Sequence, residues 1–534
     1  MKNLYYLLLL PALFVAGASG EPDAVRPAPA PVVRRTIAQP VAVVAYGSPA
    51  QAVRDALADA KTLPLGVVEN TRYLSLYNVP PELRAEFVLA LRFWTNSLSR
   101  ESAFSFPRRV CDDLYAVNVL DYGPVWRDVW ERQADTDPYF HVQLVAEVER
   151  SEKRDGKPVK VKKTVTQSFL PFWLPVNESV QLGALTQSAA PVVRADWWLM
   201  QSSRQLSLNN DDKTGIGYYD WLGLKTVQDF ERLCRIDSKA SIEIGRDVRA
   251  VLTRSAIAIA NRGIERDQAL TGGHWKTLDS KSNVGRNNAV RNLGRGDFLH
   301  DAEERIGVLP CMLHVYFLND FPGLLRQDSA PDFVGANDSP LHAGRDYRIH
   351  SASACVECHV EGLRGIDDWA RRVLRSPLGF KSPDYNKLLE LRRQYFSDLQ
   401  DQLAEDNRLY CKALLRCNGL DPAANAAVFA KVLHWYSLRP RGPCEVAIEL
   451  GVSEAELMAA LRMEAANPPV TLTVRSFGRV VAEVRPLDTL LAGLLNTPPE
   501  PLRVEHLEEI FSVAQDVVTR HRNASWVARL VSGK

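Results

Sequence analysis

The string Cys355-Val-Glu-Cys-His359 sets two thiols three positions apart, with an imidazole directly after the second. On one helical turn the two sulfurs lie on the same side, where they can add across the two vinyl groups of a haem. The histidine that follows can give a ring nitrogen to the iron. This CxxCH spacing is the attachment pattern of a c-type haem. With 8 Cys and 10 His in 534 residues, composition alone would produce such a string about 0.002 times. The expectation is one haem c per chain, with Cys355 and Cys358 as covalent anchors and His359 as axial ligand.

Two other chemistries use the same residues. A zinc site would take Cys355, Cys358 and His359 and need a fourth ligand, yet the chain has no second CxxC or HxxxH pair, and adjacent Cys358 and His359 are poorly disposed to bind one tetrahedral ion. A cycling dithiol would open a helix after a strand in a small α/β unit, which the surrounding sequence does not show. The sixth iron position decides between electron carriage and ligand chemistry. Its first candidate is His314 and its second Met312, both in the apolar string Val308 to Leu318, read as a haem-facing strand with Met312, His314 and Tyr316 on one face. His342, His350, His434 and Met458 are further candidates.

Haem attachment of this kind takes place outside the cytoplasm, and the N-terminus fits that requirement. Lys2 precedes an apolar run from Leu4 to Ala16, and Ala16-Gly-Ala18 is a small-residue cleavage pattern, so residues 1–20 read as a signal peptide. Residues 21–45, with Arg26-Pro-Ala-Pro-Ala-Pro31, read as an extended linker. No later stretch is long and apolar enough to span a bilayer, so the expected location is periplasmic or otherwise exported. Lys plus Arg number 65 against 64 Asp plus Glu, which leaves no excess charge to hold nucleic acid or an anionic membrane. Six cysteines lie outside the motif in an oxidising compartment, and their pairing cannot be read. On a probable helix, Cys411 and Cys417 point to different sides, about 9 Å apart along the axis.

The expected fold is α+β, predominantly helical with hairpins, around an embedded c-type haem segment. Residues 46–340 form an N-terminal α+β body, 341–375 the haem attachment segment and 376–534 a mainly helical C-terminal domain. Pro80-Pro-Glu-Leu opens a helix through Leu98, with Phe87, Leu91 and Trp94 on one face. Alternation from His141 to Arg150, resumed at Val159, predicts a hairpin, and Leu472–Val474 with Val480–Val484 predicts a second. Helices are expected over Asp247–Asn261, Tyr385–Cys417 and Val504–Leu530. Asn209-Asn-Asp-Asp212 lacks the spacing of a calcium loop and reads as a polar turn. The absence of GxSxG and HExxH removes two routes to a hydrolase. Trp197, Trp198, Trp221 and Trp275 are candidates to pack on the haem or fill a core. Glu265, Arg266 and Asp279 are candidates for a polar site or a buried ionic network.

Several strings across most of the chain resemble a family of large secreted bacterial proteins that carry a single cytochrome c haem motif in a larger body. They are Phe93-Trp-Thr-Asn-Ser-Leu-Ser99, Arg194-Ala-Asp-Trp-Trp198, Tyr218-Tyr-Asp-Trp-Leu-Gly-Leu224, Asn261-Arg-Gly-Ile-Glu-Arg266, His274-Trp-Lys-Thr-Leu-Asp279, Val308 to Tyr316 and Cys355 to Gly362. Where the family pattern has a Leu-Pro-Asn-Gly-Leu-Gln-like segment, this chain has Leu309-Pro-Cys-Met-Leu-His314, which sets Cys311 and His314 apart from that pattern. The resemblance implies haem binding and electron carriage to or from a periplasmic redox partner, and it supplies no substrate. Two other functional classes stay open: a haem enzyme or gas and redox sensor with an open sixth position, and an interaction protein whose haem is chiefly structural.

Overall fold

The computed structural model describes residues 46–522 except 155–156, 172, 204–215, 254–257, 259, 321–322, 324, 327, 330–348, 351, 360, 377–383, 397–398, 467–471, 477–478 and 485–488. The expected signal peptide, the linker, the Asn209 turn and His342 lie outside the described residues. Helices and strands are interspersed along the described residues, so the fold is mixed α/β.

Two multi-stranded sheets organise it. The first has four strands in the spatial order Arg108–Cys111, Leu114–Asn118, Thr71–Ser75 and Val192–Arg194. Thr71–Ser75 runs antiparallel to Leu114–Asn118 and parallel to Val192–Arg194. The second is a six-stranded antiparallel meander ordered Leu325–Arg326, His314–Asp320, Ala302–Val308, Gly272–Asp279, Arg262–Ala269 and Val248–Leu252. Strands adjacent in sequence are adjacent in space, as short connections favour.

The expected helix over Asp247–Asn261 is corrected by this sheet: Val248–Leu252 is its edge strand. Both faces of the strand are covered. Ala250 packs in an apolar cluster on one face, while Arg249 on the other pairs with Glu265 at 3.1 Å. A strand buried on both sides loses the alternation that marks one, and its apolar residues fall by accident at helical spacing. The string Val308 to Leu318 is not one strand either. The chain turns at Leu309–Leu313, where the Leu309 amide donates to the Leu313 carbonyl at 2.8 Å and Met312 adopts φ +76°. His314 and Tyr316 share a face of the following strand, as alternation requires, and Met312 stays in the turn.

Both expected hairpins are present, as Val142–Arg154 with Lys157–Phe169 and Leu472–Ser476 with Arg479–Val484. The helix opened by Pro80-Pro81 spans Pro81–Ser97, with Phe87, Leu91 and Trp94 buried. The span Tyr385–Cys417 is two helices, Tyr385–Gln394 and Leu399–Asn418. The last helix covers Val504–Arg522. One hydrophobic core draws on residues from Ala52 through Val518, so helices on both sides of residue 375 pack together in it. At its centre Trp126, Trp130, Trp198 and Trp221 meet edge to face or tilted, with centroids 4.6–6.4 Å apart. Trp197 is buried beside them in the helix Ala195–Ser202.

No described helix is long and apolar enough to cross a membrane.

Candidate cofactor-attachment site

The motif forms its own short helix, Ser353–Cys358. The Ser353 amide donates to the Ser203 carbonyl at 2.8 Å, which fixes its start against the end of the helix Ala195–Ser202. The motif helix also packs on the helix Pro422–Ser437, where His434 Nε2 lies 3.1 Å from the Glu357 carboxylate. Cys355 and Cys358 stand three apart and so share a side of the helix. Burial raises both thiols, which are therefore protonated in the folded chain.

His359 ends this helix, with its ring held from two sides. Its Nδ1 lies 3.0 Å from the Gly362 carbonyl; a carbonyl can only accept, so Nδ1 carries the proton and Nε2 keeps its lone pair. Its ring plane lies 28° from that of Tyr316, with centroids 6.2 Å apart. Burial lowers its pKa to about 4, a fall that the Gly362 carbonyl opposes, so the imidazole is neutral near neutral pH.

The Gly362 turn is itself clamped. Gly362 has φ +88°, a region that side chains with a Cβ rarely adopt. The next residue, Leu363, is bonded through both backbone groups to Asn407: its amide donates to Oδ1 at 2.7 Å, and its carbonyl accepts from Nδ2 at 2.8 Å.

Asn407 belongs to the helix Leu399–Asn418, whose buried side, Leu399, Leu403, Asp406, Tyr410, Leu414 and Cys417, follows the 3.6-residue period. Asp406 is the anchor of this face on the sheet. Its carboxylate accepts from the Arg266 guanidinium at 3.0 and 3.2 Å, the Trp275 indole at 2.8 Å and the Gly273 amide at 3.0 Å.

Between the sheet, the Gly362 turn and this helix lies a cavity of about 340 Å³, within the size range of small-molecule and cofactor sites. Cys358 and His359 line it, and so do Leu252, Ile264, Trp275, Ile306, Leu363, Ile366 and Leu403. Strand register explains the shared wall, because Ile264 pairs with Thr277, Ile306 with both Trp275 and Tyr316, and Glu304 with Thr277; paired residues point to one face. The polar part holds Glu304 and Arg262. Arg262 meets Asp279 at 2.7 Å and Glu304 at 2.9 Å. Burial raises the Glu304 carboxyl, with Arg262 acting against it.

Of the sequence-selected residues, the structure brings Cys358, His359 and Trp275 to one cavity, with Cys355 on the same helix. It does not bring His314 and Met312 there. They line a separate narrow crevice with Gly272, Val308, Asp406 and Tyr410. The His314 ring stacks on Tyr410 with centroids 3.7 Å apart and planes at 6°, and its buried Nδ1 has no hydrogen-bond partner. Burial, and then the neighbouring His359, lowers its pKa to about 3. Among the described residues that line the cavity, His359 is the one histidine and no methionine appears. Glu265, Arg266 and Asp279 do not converge on one site: each has its own buried ion pair, with Lys276 at 2.6 Å, Asp406 at 3.0 Å and Arg262 at 2.7 Å respectively.

Sequence reasoning missed the roles of Asn407 and Asp406, which depend on contacts 44 and 140 residues apart, and that of Gly362, whose carbonyl meets His359 only three residues away. It also missed a half-buried group of Asp55, Cys111 and Asp113 whose ligand atoms lie within 4.8 Å of one another. There the Cys111 thiol, raised by burial to about 11, donates to Asp113 at 3.2 Å, and that hydrogen bond accounts for the contact without an ion.

Comparison of the chain with protein-family models, with curated proteins and with solved structures finds no match to any of them.

Proposed function

We propose that the chain is an exported protein that holds one haem c on Cys355, Cys358 and His359 and exchanges electrons with a periplasmic redox partner. The observation that carries this reading is the neutral His359 imidazole, its Nδ1 proton committed to the Gly362 carbonyl, on a cavity of about 340 Å³ with an apolar side and a charged side of Arg262, Lys276, Glu304, Arg364 and Asp367. A metal-binding histidine needs this arrangement, in which the second nitrogen is tied to an acceptor so that the first is fixed in tautomer and direction. Cys355 and Cys358 would hold the macrocycle by thioether bonds, and His359 Nε2 would donate to iron. When bound, the group supplies a one-electron couple. The chain's own part is to exclude water with Ile264, Trp275, Ile306 and Leu403, and to hold the imidazole through Gly362 and Asn407. The resemblance to secreted mono-haem proteins points the same way.

A second reading is favoured by one specific observation. The described cavity lining offers no histidine or methionine besides His359, which suits an iron whose sixth position is open to a small ligand and hence an enzyme or sensor.

The test is expression with the N-terminal segment in a host that has a cytochrome c maturation system. A c-type pyridine haemochrome that disappears in Cys355→Ala/Cys358→Ala is expected, and absence of covalent haem in the unaltered chain would overturn the proposal. Carbon monoxide separates the two readings: no shift of the ferrous spectrum selects the six-coordinate carrier, and a clear shift selects the open site.

A further inference from the structure

We propose that Cys311 and Cys417 are joined by a disulfide in the oxidised protein, tying the turn between two sheet strands to the helix Leu399–Asn418. Both thiols sit on one ridge of the helix Pro81–Ser97. Cys311 Sγ donates to the Asn96 carbonyl at 3.7 Å and Cys417 Sγ to the Arg92 carbonyl at 3.4 Å. These carbonyls are one helical turn apart, about 6 Å along the axis.

A second contact joins the same two segments. His314 stacks on Tyr410 at 3.7 Å. The segment that carries Cys311 and the helix that carries Cys417 are thus in direct contact three residues beyond Cys311. Burial, and after it the charge of Cys311, raises the Cys417 thiol to about 12.

Of the other cysteines outside the motif, two have contacts of their own. Cys111 bonds Asp113, Cys234 lies against Gly307, and Cys411 and Cys444 are half-buried. The carbonyls released by the cross-link keep other donors: Asn96 O accepts from the Ser99 amide at 3.2 Å, and Arg92 O from Asn96 Nδ2 at 2.7 Å.

Formation is by thiol–disulfide exchange with a disulfide-bearing oxidant. One cysteine thiolate attacks a sulfur of the oxidant's disulfide, forms a mixed disulfide and releases the oxidant's other sulfur as a thiolate. The second protein cysteine then attacks the protein sulfur of the mixed disulfide and displaces the oxidant sulfur still bound to it. The two protons lost by Cys311 and Cys417 are taken up by the oxidant's two thiolates, and the two electrons leave with it as its dithiol. Both sulfurs are shut from solvent in the folded chain, Cys311 2% and Cys417 0% exposed, so the exchange comes before the core closes. The cross-link would fix the strand that carries Tyr316 to the helix that carries Leu403, Asp406 and Asn407. The proposal rests on the export reading only for its oxidant.

The experiment uses the full chain and the Cys355→Ala/Cys358→Ala variant, each recovered from the oxidising compartment of the host. Each is also refolded in mixed oxidised and reduced glutathione, an arm that does not depend on export. The samples are alkylated in denaturant without reductant, digested and analysed by mass spectrometry. The expected result is a cross-linked pair of peptides holding Cys311 and Cys417 in every arm, lost on reduction, with Cys311 alkylated in Cys417→Ser. Full alkylation of Cys311 and Cys417 in the refolded chain, or a link from either to another cysteine, would overturn it. A Cys311–Cys417 link in the unaltered chain, recovered without haem from a host that has a cytochrome c maturation system, supports the disulfide and counts against the attachment reading alone.

Discussion

Replacing Gly362 by alanine probes the support of His359 without touching a thiol or the imidazole. Gly362 lies at φ +88°, and the added methyl would stand 2.5 Å from Asn407 Oδ1 and 3.1 Å from its Cγ. A left-handed backbone costs a residue with a Cβ about 1–2 kcal/mol. Asn407 must also withdraw, giving up its two bonds to Leu363, at about 1 kcal/mol each. The expected loss is about 3–4 kcal/mol, read as a lower urea midpoint. The Gly362 carbonyl would shift with its residue, so if the proposed haem is present the His359–iron bond, rather than the thioether-held macrocycle, should weaken; outer-sphere partners of a metal ligand are typically worth about 10–100-fold in metal affinity. Asn407→Ala removes the two bonds but leaves the glycine unstrained, at about 2 kcal/mol. Because the two changes share the same lost bonds, the double variant should cost less than the sum. Unchanged stability in Gly362→Ala, or a double variant additive within about 0.5 kcal/mol, would refute the clamp.

Two further outcomes follow from buried charge. Glu449 is fully buried between Arg194 at 3.0 Å, Arg441 at 3.0 Å and Arg439 at 3.0 Å; burial would raise its pKa, but the three guanidiniums bring it to about 2. Glu449→Ala leaves Arg441 and one side of Arg194 uncompensated and should cost about 3–5 kcal/mol in urea unfolding, and an unchanged midpoint would remove the ionic knot as a source of stability. Acid should destabilise the fold well above the carboxylate range. Burial lowers His141, His274 and His359 to about 4 and His314 to about 3, against about 6.5 unfolded. Between those values the unfolded chain binds more protons, so stability is held above pH 6.5 and lost as pH falls toward 4, by up to about 1.4 kcal/mol per pH unit for each histidine. Urea midpoints of the haem-free chain from pH 7 to 4.5 measure this, a flat profile contradicts it, and His274→Gln should reduce the histidine part of the slope by roughly one quarter.

What could be read before the structure was whatever is local. The motif spacing, the Pro81–Ser97 helix and both hairpins are written in stretches of a few to twenty residues, where period and capping suffice. The edge strand Val248–Leu252 was misread because its two faces meet different partners, apolar on one side and Glu265 on the other. The grouping of Cys358 and His359 with Trp275, Glu304 and Leu403 comes from strand register and helix docking, neither of which leaves a trace within a short window. His314 was chosen for its apolar neighbours, and those neighbours turn out to include Tyr410, which takes the ring face.

The helix Leu399–Asn418, which walls the cavity and clamps the His359 turn, ends 59 residues after His359. At about 5–20 residues per second, the pace at which chains are made, roughly 3–12 s separate the appearance of the motif from that of its cover. For that interval Cys355, Cys358 and His359 have no such wall over them. The same order holds for a chain threaded N-terminus first out of the cytoplasm: under the proposed export the motif would emerge before its cover, and haem attachment would have to come before this helix docks.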